Sequence, residues 1–152
     1  MMGLLFQYAY STVIVLLMSI GVFMIASTLH EGTHWIVGRI WSSELEILRL
    51  DIVFPVAVIF HSPYDLPPHG VRLTGVAPLL FWLPVAVTIY VALAAAPVGR
   101  VLLSVPFWAA AILSPSDVLA FLYPERFQEY AANGNAVGHI GMIKILLQEL
   151  TS

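Results

Sequence analysis

The chain contains no cysteine and few charged residues. The absence of cysteine excludes disulfide bonds, thiolate metal sites and cysteine nucleophiles, so a bound metal ion would need ligands from histidine, aspartate or glutamate. Charged residues make up 10% of the 152 residues, and the formal net charge is only −3. The 6 lysine and arginine residues are scattered along the chain, and we therefore expect no nucleic-acid partner.

Apolar residues dominate the composition. They account for 60% of the chain, and the mean hydropathy is +0.92, which lies far above the range of soluble domains. The composition therefore predicts a multi-pass integral membrane protein surrounded by the lipid bilayer. A length of 152 residues leaves room for a single membrane-embedded domain over residues 1–152, and for no separate soluble domain beside several spans.

Three apolar segments are long enough to cross a membrane. They cover residues 11–37, 76–96 and 101–123. Four prolines inside the second and third segments predict kinks there: Pro78, Pro84, Pro106 and Pro115. No basic residue precedes the first apolar run, so we interpret it as a retained span and not as a cleaved signal peptide. The second and third spans are joined by the short turn "PVGR", which predicts antiparallel neighbours.

The distribution of basic residues predicts the orientation of the chain. With three spans, the 39–75 loop and the C-terminal tail lie on one side of the membrane and Arg100 lies on the other. The loop-and-tail side holds the remaining basic residues: Arg39, Arg49, Arg72, Arg126 and Lys144. Because basic loops stay in the cytoplasm, we expect the N-terminus outside and a site that opens toward the cytoplasm, in a prokaryotic cell membrane.

The segments outside the spans have their own secondary-structure signals. In the 39–75 loop, "ELEILRLDIVF" and the following "VAVIF" predict two strands, with "VRLTG" as a third short strand. The segment "HSPYDLPPHG" is typical of a turn or flap, and "PERFQEYAANGN" of a polar connector. The final "AVGHIGMIKILLQEL" predicts an amphipathic helix on the membrane surface or on the bundle. The expected fold is a membrane α-helical protein with a three-span core, a small membrane-associated β-hairpin or sheet in the 39–75 loop and a C-terminal amphipathic helix.

The end of the first span carries the motif "HEGTH", in which His30, Glu31 and His34 have the spacing H-E-x-x-H. Residues i and i+4 of a helix share a face, so both imidazoles can reach one metal ion while Glu31 stands beside the next coordination position. Two neutral imidazoles suit zinc, and a glutamate can act as a base toward a metal-activated water. The alternative is that both histidines reach the membrane interface, with Glu31 paired to Arg39 or to a histidine.

A catalytic zinc usually has three protein ligands, and Asp117 is the strongest candidate for the third. No other carboxylate lies in the second or third predicted span. At about 1.5 Å per residue from the predicted cytoplasmic ends of the spans, Asp117 lies at a depth of roughly 9 Å, between His34 at roughly 7 Å and His30 at roughly 13 Å. The alternative is that Asp117 caps a helix that restarts after Pro115.

Five further polar side chains are weaker candidates for a role in the site. Each lies in a polar or interfacial segment, where such a residue is ordinary. They are His61, His69 and His139, for substrate handling or an oxyanion contact, and Asn133 and Asn135, for an oxyanion contact.

Four features in this order resemble the site-2 protease family of intramembrane zinc metalloproteases. They are an apolar span with "HEGTH", a strand-rich loop, a span that opens with "GVAPLL" and a third span with "SPSD", within residues 11–123. The resemblance implies three core helices, a membrane-embedded zinc ion held by His30, His34 and Asp117, and cleavage of transmembrane or membrane-proximal segments of other proteins. The chain departs from the family pattern at Phe81, where asparagine is usual, and at Val118, where glycine is usual.

We therefore expect an intramembrane zinc endopeptidase in which Glu31 is the catalytic base. A helical peptide bond is shielded by its own hydrogen bonds, so the substrate would unwind and add as a strand to the 44–74 loop. Two alternatives remain: a zinc-holding membrane subunit that binds membrane proteins without cleaving them, and a structural membrane protein without metal.

Overall fold

The computed structural model describes residues 2–41, 44–50, 54–132 and 139–151. Within these ranges the helices are α1 (Met2–Gly38), α2 (Pro68–Ala92), α3 (Pro97–Ala110), α4 (Pro115–Leu122), α5 (Pro124–Ala132) and α6 (His139–Thr151). Two antiparallel strands, β1 (Leu45–Leu50) and β2 (Phe54–Phe60), and a 3-10 turn at Pro63–Asp65 lie between α1 and α2. The expectation of a helical membrane fold with a small sheet after the first helix is confirmed.

Helix α1 has 37 residues and includes the first predicted span. At about 1.5 Å per residue it is about 55 Å long, which exceeds the roughly 30 Å hydrocarbon core of a bilayer. Its stretch from Tyr10 to Gly38 is long and apolar enough to cross a membrane. The side chains of residues 11–20 are exposed within the chain. A helix that is apolar and exposed on every side is suited to contact with lipid.

Helix α2 begins at Pro68, well before the predicted start at residue 76. The predicted strand at residues 71–75 is wrong, because this segment belongs to the first turns of the helix. Proline is favoured at the first helical position, where its missing N–H has no partner to lose. The buried residues Val71, Thr74 and Gly75 then follow at helical spacing. Helix α2 is also long and apolar enough to cross a membrane.

The predicted third span is broken. Helices α3 and α4 meet at a bend of 53°, so the described part of the chain has two helices that could cross a membrane, or three if this pair is one span. Pro115 cannot donate to the carbonyl of Ala111, and Ser114 caps the new helix. The break therefore follows from the local sequence. The predicted turn at residues 97–100 is also wrong, because α3 already begins at Pro97.

The sheet is a two-stranded antiparallel hairpin that packs against α1 through β2. Leu45 lies opposite Phe60 and Ile47 opposite Val58, with an irregularity in register between Leu48 and Arg49. The two predicted strands of the 39–75 loop are confirmed.

The segment after α4 is helical, so the prediction of a polar connector is wrong for residues 124–132. The buried side chain of Gln128 on α5 explains this order, because its Nε2 donates to the carbonyls of Pro63 and Leu66 at 2.8 and 2.6 Å. These bonds hold the loop before α2 against α5. Leu66 is part of a small apolar core with Val71 and Ala120, against which Trp41 and Phe127 pack.

The C-terminal helix, predicted from the apolar spacing of residues 136–150, is present as α6. It packs on α4, where the Tyr123 hydroxyl donates to the Glu149 carbonyl at 3.4 Å. An ion pair of 3.0 Å between Arg126 and Glu149 joins it to α5. The helix therefore packs on the bundle, one of the two positions expected for it.

Candidate metal centre

Three side chains from two separate helices converge at the C-terminal end of α1. The Nε2 atoms of His30 and His34 lie 3.0 Å apart. Asp117, in the first turn of α4, places Oδ2 3.2 Å from the Nε2 of His30 and Oδ1 3.1 Å from the Nε2 of His34. His34 and Asp117 are buried and His30 is half-buried. We call these three residues the His-His-Asp cluster.

Both imidazole rings are oriented by backbone carbonyls. The Nδ1 atom of His30 lies 2.9 Å from the carbonyl oxygen of Ala110, and the Nδ1 atom of His34 lies 2.7 Å from that of Thr74. A carbonyl oxygen can only accept a hydrogen bond, so each Nδ1 carries the proton and donates it. In a neutral ring the lone pair is then on Nε2. The two Nε2 atoms that face each other are thus available as ligands for a metal ion.

The cluster therefore brings together three groups that all present lone pairs. Two unprotonated Nε2 atoms and a carboxylate at 3.0–3.2 Å repel one another unless a proton or a metal ion lies between them. In a tetrahedral site with metal–ligand bonds of about 2.0 Å, neighbouring ligand atoms are about 3.3 Å apart. The observed separations are close to that value. The donor set of two nitrogens and one oxygen thus fits a small divalent metal ion and leaves a fourth position open.

Asp117 also caps helix α4. Its Oδ2 accepts the backbone N–H of Ser114 at 2.6 Å, and its own N–H donates to the Ser114 hydroxyl at 3.3 Å. This reciprocal arrangement is a capping box. Sequence analysis left two roles for Asp117, the metal cluster and the helix cap. The structure shows that one carboxylate makes both sets of contacts.

A glycine controls how closely α2 approaches α4 beside Asp117. A Cβ atom at Gly75 would lie 2.9 Å from the Cβ of Ala120 and 2.9 Å from the backbone oxygen of Asp117. Real Cβ atoms do not approach neighbours so closely, so only glycine allows this contact. Sequence analysis missed Gly75, although a glycine among small residues of "TGVAP", at the start of an apolar run, was a usable signal.

Trp82 on α2 fixes the position of α1 along the α1 axis. Its indole N–H donates to the Thr33 hydroxyl at 2.8 Å and approaches the Leu29 carbonyl at 3.2 Å. Both partners lie within the same turns as His30 and His34. Sequence analysis missed this contact, because nothing in the sequence distinguishes Trp82 from a tryptophan that faces lipid.

Glu31 lies beside the cluster and faces the sheet. It is half-buried, it lies within electrostatic range of His30, His34 and Asp117, and the backbone N–H of Val58 on β2 faces its carboxylate. The alternative in which both histidines reach the membrane interface does not describe this structure. His34 is only 7% exposed, and its two ring nitrogens contact Thr74 and Asp117.

The weaker candidates lie elsewhere or fall outside the described side chains. His61 pairs with Glu46 at 3.0 Å in an exposed position, and His69 packs on the ring of Trp41. Among the described residues, the group that could hold a metal ion consists of His30, His34 and Asp117. Asn133 and Asn135 and the side chain of His139 lie outside the described part of the chain. Phe81 is 57% exposed on α2, and Val118 is half-buried beside Asp117.

These features define a helical membrane protein with a group of two histidines and one aspartate that could hold a metal ion. The comparisons with known proteins add no relative, since no family model, no curated protein and no solved structure matches the chain.

Proposed function

We propose that this protein is an intramembrane zinc endopeptidase. One observation carries the proposal: three lone-pair-bearing ligands meet at 3.0–3.2 Å inside an apolar helical protein, with the carboxylate of Glu31 beside them. Ionisable groups at such a depth are costly and typically serve a function. The spacing H-E-x-x-H, the depth of the cluster and the resemblance to the site-2 protease family support the same conclusion.

Zinc is the metal that this donor set favours. Two imidazole nitrogens and one carboxylate oxygen are typical of catalytic zinc, which keeps one position open for water or substrate. Softer ions prefer sulfur ligands, and the chain has no cysteine. His30, His34 and Asp117 would hold the ion. When bound, zinc would supply Lewis acidity toward a scissile carbonyl and lower the pKa of water.

Glu31 is the proposed general base. It neighbours His30 in sequence, but it contacts β2 and does not belong to the His-His-Asp cluster. Because it is not one of the proposed ligands, it could accept the proton of the attacking water and deliver that proton to the leaving amine. The buried surroundings of the cluster limit the number of water molecules that reach it. Hydrolysis would then depend on a water molecule held at the cluster.

The outer edge of β2 is the proposed substrate-binding surface. The His61 N–H donates to the Glu44 carbonyl at 3.2 Å, so the next hydrogen-bonded pair along the hairpin is Glu46 with Ile59. The N–H of Val58 then points away from β1, toward Glu31. An unwound substrate that adds to this edge would pass beside Glu31. By engaging the Val58 N–H, it would release the carboxylate for proton transfer.

We further propose that the cluster opens toward the cytoplasm. His34 lies four residues before Gly38, the last residue of α1, or about 6 Å along the helix. The loop that follows α1 lies on the side with more basic residues. Substrates would then be cut near the cytoplasmic ends of their transmembrane segments.

The experiment that tests this function is a comparison of the wild type with Glu31→Gln. The amide cannot accept the proton, while all three proposed ligands stay in place. Membrane proteins cleaved by the wild type should accumulate uncut with the variant, and some should co-purify with it. If no membrane protein differs in fragment pattern between the two, while both hold zinc, the chain is a zinc-holding binding subunit and the proposal is wrong.

A further inference from the structure

Helix α2 carries two prolines in its interior, Pro78 and Pro84. A proline in a helix has no N–H for the carbonyl four residues earlier, and its ring pushes that carbonyl aside. For Pro78 the affected carbonyl belongs to Thr74. This is the carbonyl that accepts the Nδ1–H of His34 at 2.7 Å.

The geometry around Pro78 suits this role. Pro78 is among the most deeply buried side chains of the described residues, and Thr74 is only 3% exposed. Water therefore does not easily reach the Thr74 carbonyl, and a buried carbonyl without a hydrogen-bond donor is unfavourable. The ring of His34 supplies the missing donor across the interface between α1 and α2. The Nδ1–H of His34 thus satisfies the Thr74 carbonyl, and the carbonyl satisfies the Nδ1–H.

His30 is also oriented by a backbone carbonyl that lacks its usual helical donor. Its acceptor is the carbonyl of Ala110 at 2.9 Å, in the last turn of α3. The usual helical donor to Ala110 would be the N–H of Ser114, but that N–H donates to the Asp117 carboxylate at 2.6 Å. The break between α3 and α4 therefore frees a carbonyl for one ligand and an N–H for another.

We infer that Pro78 is a positioning residue for the metal centre: by leaving the Thr74 carbonyl without a helical donor, it fixes His34 in the Nδ1–H tautomer with Nε2 free for the metal. The inference rests on the proposed metal site but not on proteolysis. Partners of this kind, which orient a ligand without touching the metal, typically contribute 10- to 100-fold to metal affinity.

The test compares zinc affinity of purified Pro78→Ala with that of Pro84→Ala, by competition with a chromophoric chelator. Both variants remove a proline from the interior of the same helix. Pro84 is exposed, and the carbonyl that it leaves without a helical donor belongs to Leu80, which is also exposed. We expect Pro78→Ala to weaken zinc binding by about 10-fold or more, and Pro84→Ala to change it by less than about 2-fold. Equal affinities of the two variants would overturn the inference.

A second variant separates the missing N–H from the shape of the ring. Replacement of Pro78 by lactic acid, the hydroxy-acid analogue of alanine, gives an ester link that has neither ring nor N–H. We expect this variant to bind zinc within about 3-fold of the wild type, because the Thr74 carbonyl stays available. If it binds as weakly as Pro78→Ala, ring packing is responsible and the inference is wrong.

A readout without metal keeps the two proposals distinguishable. In zinc-free protein labelled with ¹⁵N-histidine, at alkaline pH, His34 should be in the Nδ1–H tautomer in the wild type and in Pro84→Ala. In Pro78→Ala it should be a mixture of tautomers, because the N–H of the new residue competes for the Thr74 carbonyl. The same tautomer in all three proteins would overturn the inference. If the wild type binds no zinc but these differences in tautomer are observed, the proposed function is wrong, while the effect of Pro78 on the His34 tautomer stands.

Discussion

Asp117 and Ser114 bind each other reciprocally at the start of α4: the Ser114 N–H donates to Oδ2 at 2.6 Å, and the Asp117 N–H donates to the Ser114 hydroxyl at 3.3 Å. The same carboxylate lies 3.1–3.2 Å from both histidines of α1. The helix cap at Ser114 therefore orients the Asp117 side chain toward the two histidines of α1, which are far away in the sequence. The position of the third proposed ligand depends on the break in the predicted third span.

Asp117→Asn should separate metal binding from helix capping. Asparagine keeps one oxygen for the Ser114 N–H, but it loses the negative charge and replaces one acceptor by an N–H donor. That donor can bind the Nε2 of His34, which relieves the repulsion among three lone pairs. We expect zinc affinity to fall by about 10-fold or more, while the thermal midpoint of the zinc-free protein stays equal to that of the wild type or rises.

Asp65→Asn is the matched control, because Asp65 is an exposed aspartate in the short 3-10 turn. It should change neither quantity. Wild-type zinc affinity in Asp117→Asn would place the third ligand elsewhere, and His139 would be the next residue to replace.

Gly75→Ala should push α4 away from α2. The added Cβ would lie 2.9 Å from both the Ala120 Cβ and the Asp117 backbone oxygen. Overpacking of this kind costs about 1–3 kcal/mol, so we expect lower thermal stability and weaker zinc binding together. Gly21→Ala is the control, because a Cβ at Gly21 has no neighbour within 4 Å.

The double variant Gly75→Ala with Ala120→Gly tests the cause. It removes the Cβ contact but leaves the contact with the Asp117 oxygen, so it should restore part of the loss. If Gly75→Ala alone melts and binds zinc as Gly21→Ala does, the close approach of α2 and α4 does not position Asp117.

Trp82→Phe should loosen the contact between α2 and α1. The aromatic ring is kept, but the donor to the Thr33 hydroxyl is lost. A hydrogen bond of this type contributes about 0.5–1.5 kcal/mol, and we expect a corresponding decrease in the free energy of unfolding in detergent. Trp108→Phe is the control, since Trp108 is exposed. In a double-mutant cycle with Thr33→Val, additive effects of the two changes would show that the bond contributes nothing.

The orientation of the chain can be tested with single cysteines, because the sequence has none of its own. Cysteines at Ser43 and Ser152 should resist an impermeant thiol reagent added to intact cells, since the excess of basic residues predicts that both face the cytoplasm. A cysteine at Val98, which is exposed in the first turn of α3, should be labelled. Labelling of the first two but not the third would reverse the orientation.

The sequence was sufficient to predict which three residues meet. The i, i+4 spacing of His30 and His34 and the matched depth of Asp117 depend only on the rise of a helix. Both α1, which carries the histidines, and α4, which carries Asp117, are regular helices at these residues. The first strand of the 39–75 loop followed from a rough alternation of apolar residues, and the second from the apolar run "VAVIF".

Two of the errors share a physical cause. Residues 71–75 have a strand-like composition, but packing of Gly70 against Trp41 and of Gly75 against Ala120 favours a helix there. Residues 124–132 look like a connector until Gln128 is seen to satisfy two carbonyls of a distant loop. Local propensity cannot reveal contacts between segments that are far apart in the chain.

The metal content of the purified protein tests the central claim most directly, because the proposed chemistry depends on a zinc ion between His30, His34 and Asp117. After dialysis against a mild chelator, the wild type should retain about one zinc per chain, with nitrogen and oxygen ligands and no sulfur. His30→Ala and His34→Ala should each lose it, while His61→Ala, which replaces an exposed histidine away from the cluster, should keep it. Full retention of zinc by both single variants, or its absence from the wild type, would contradict the account.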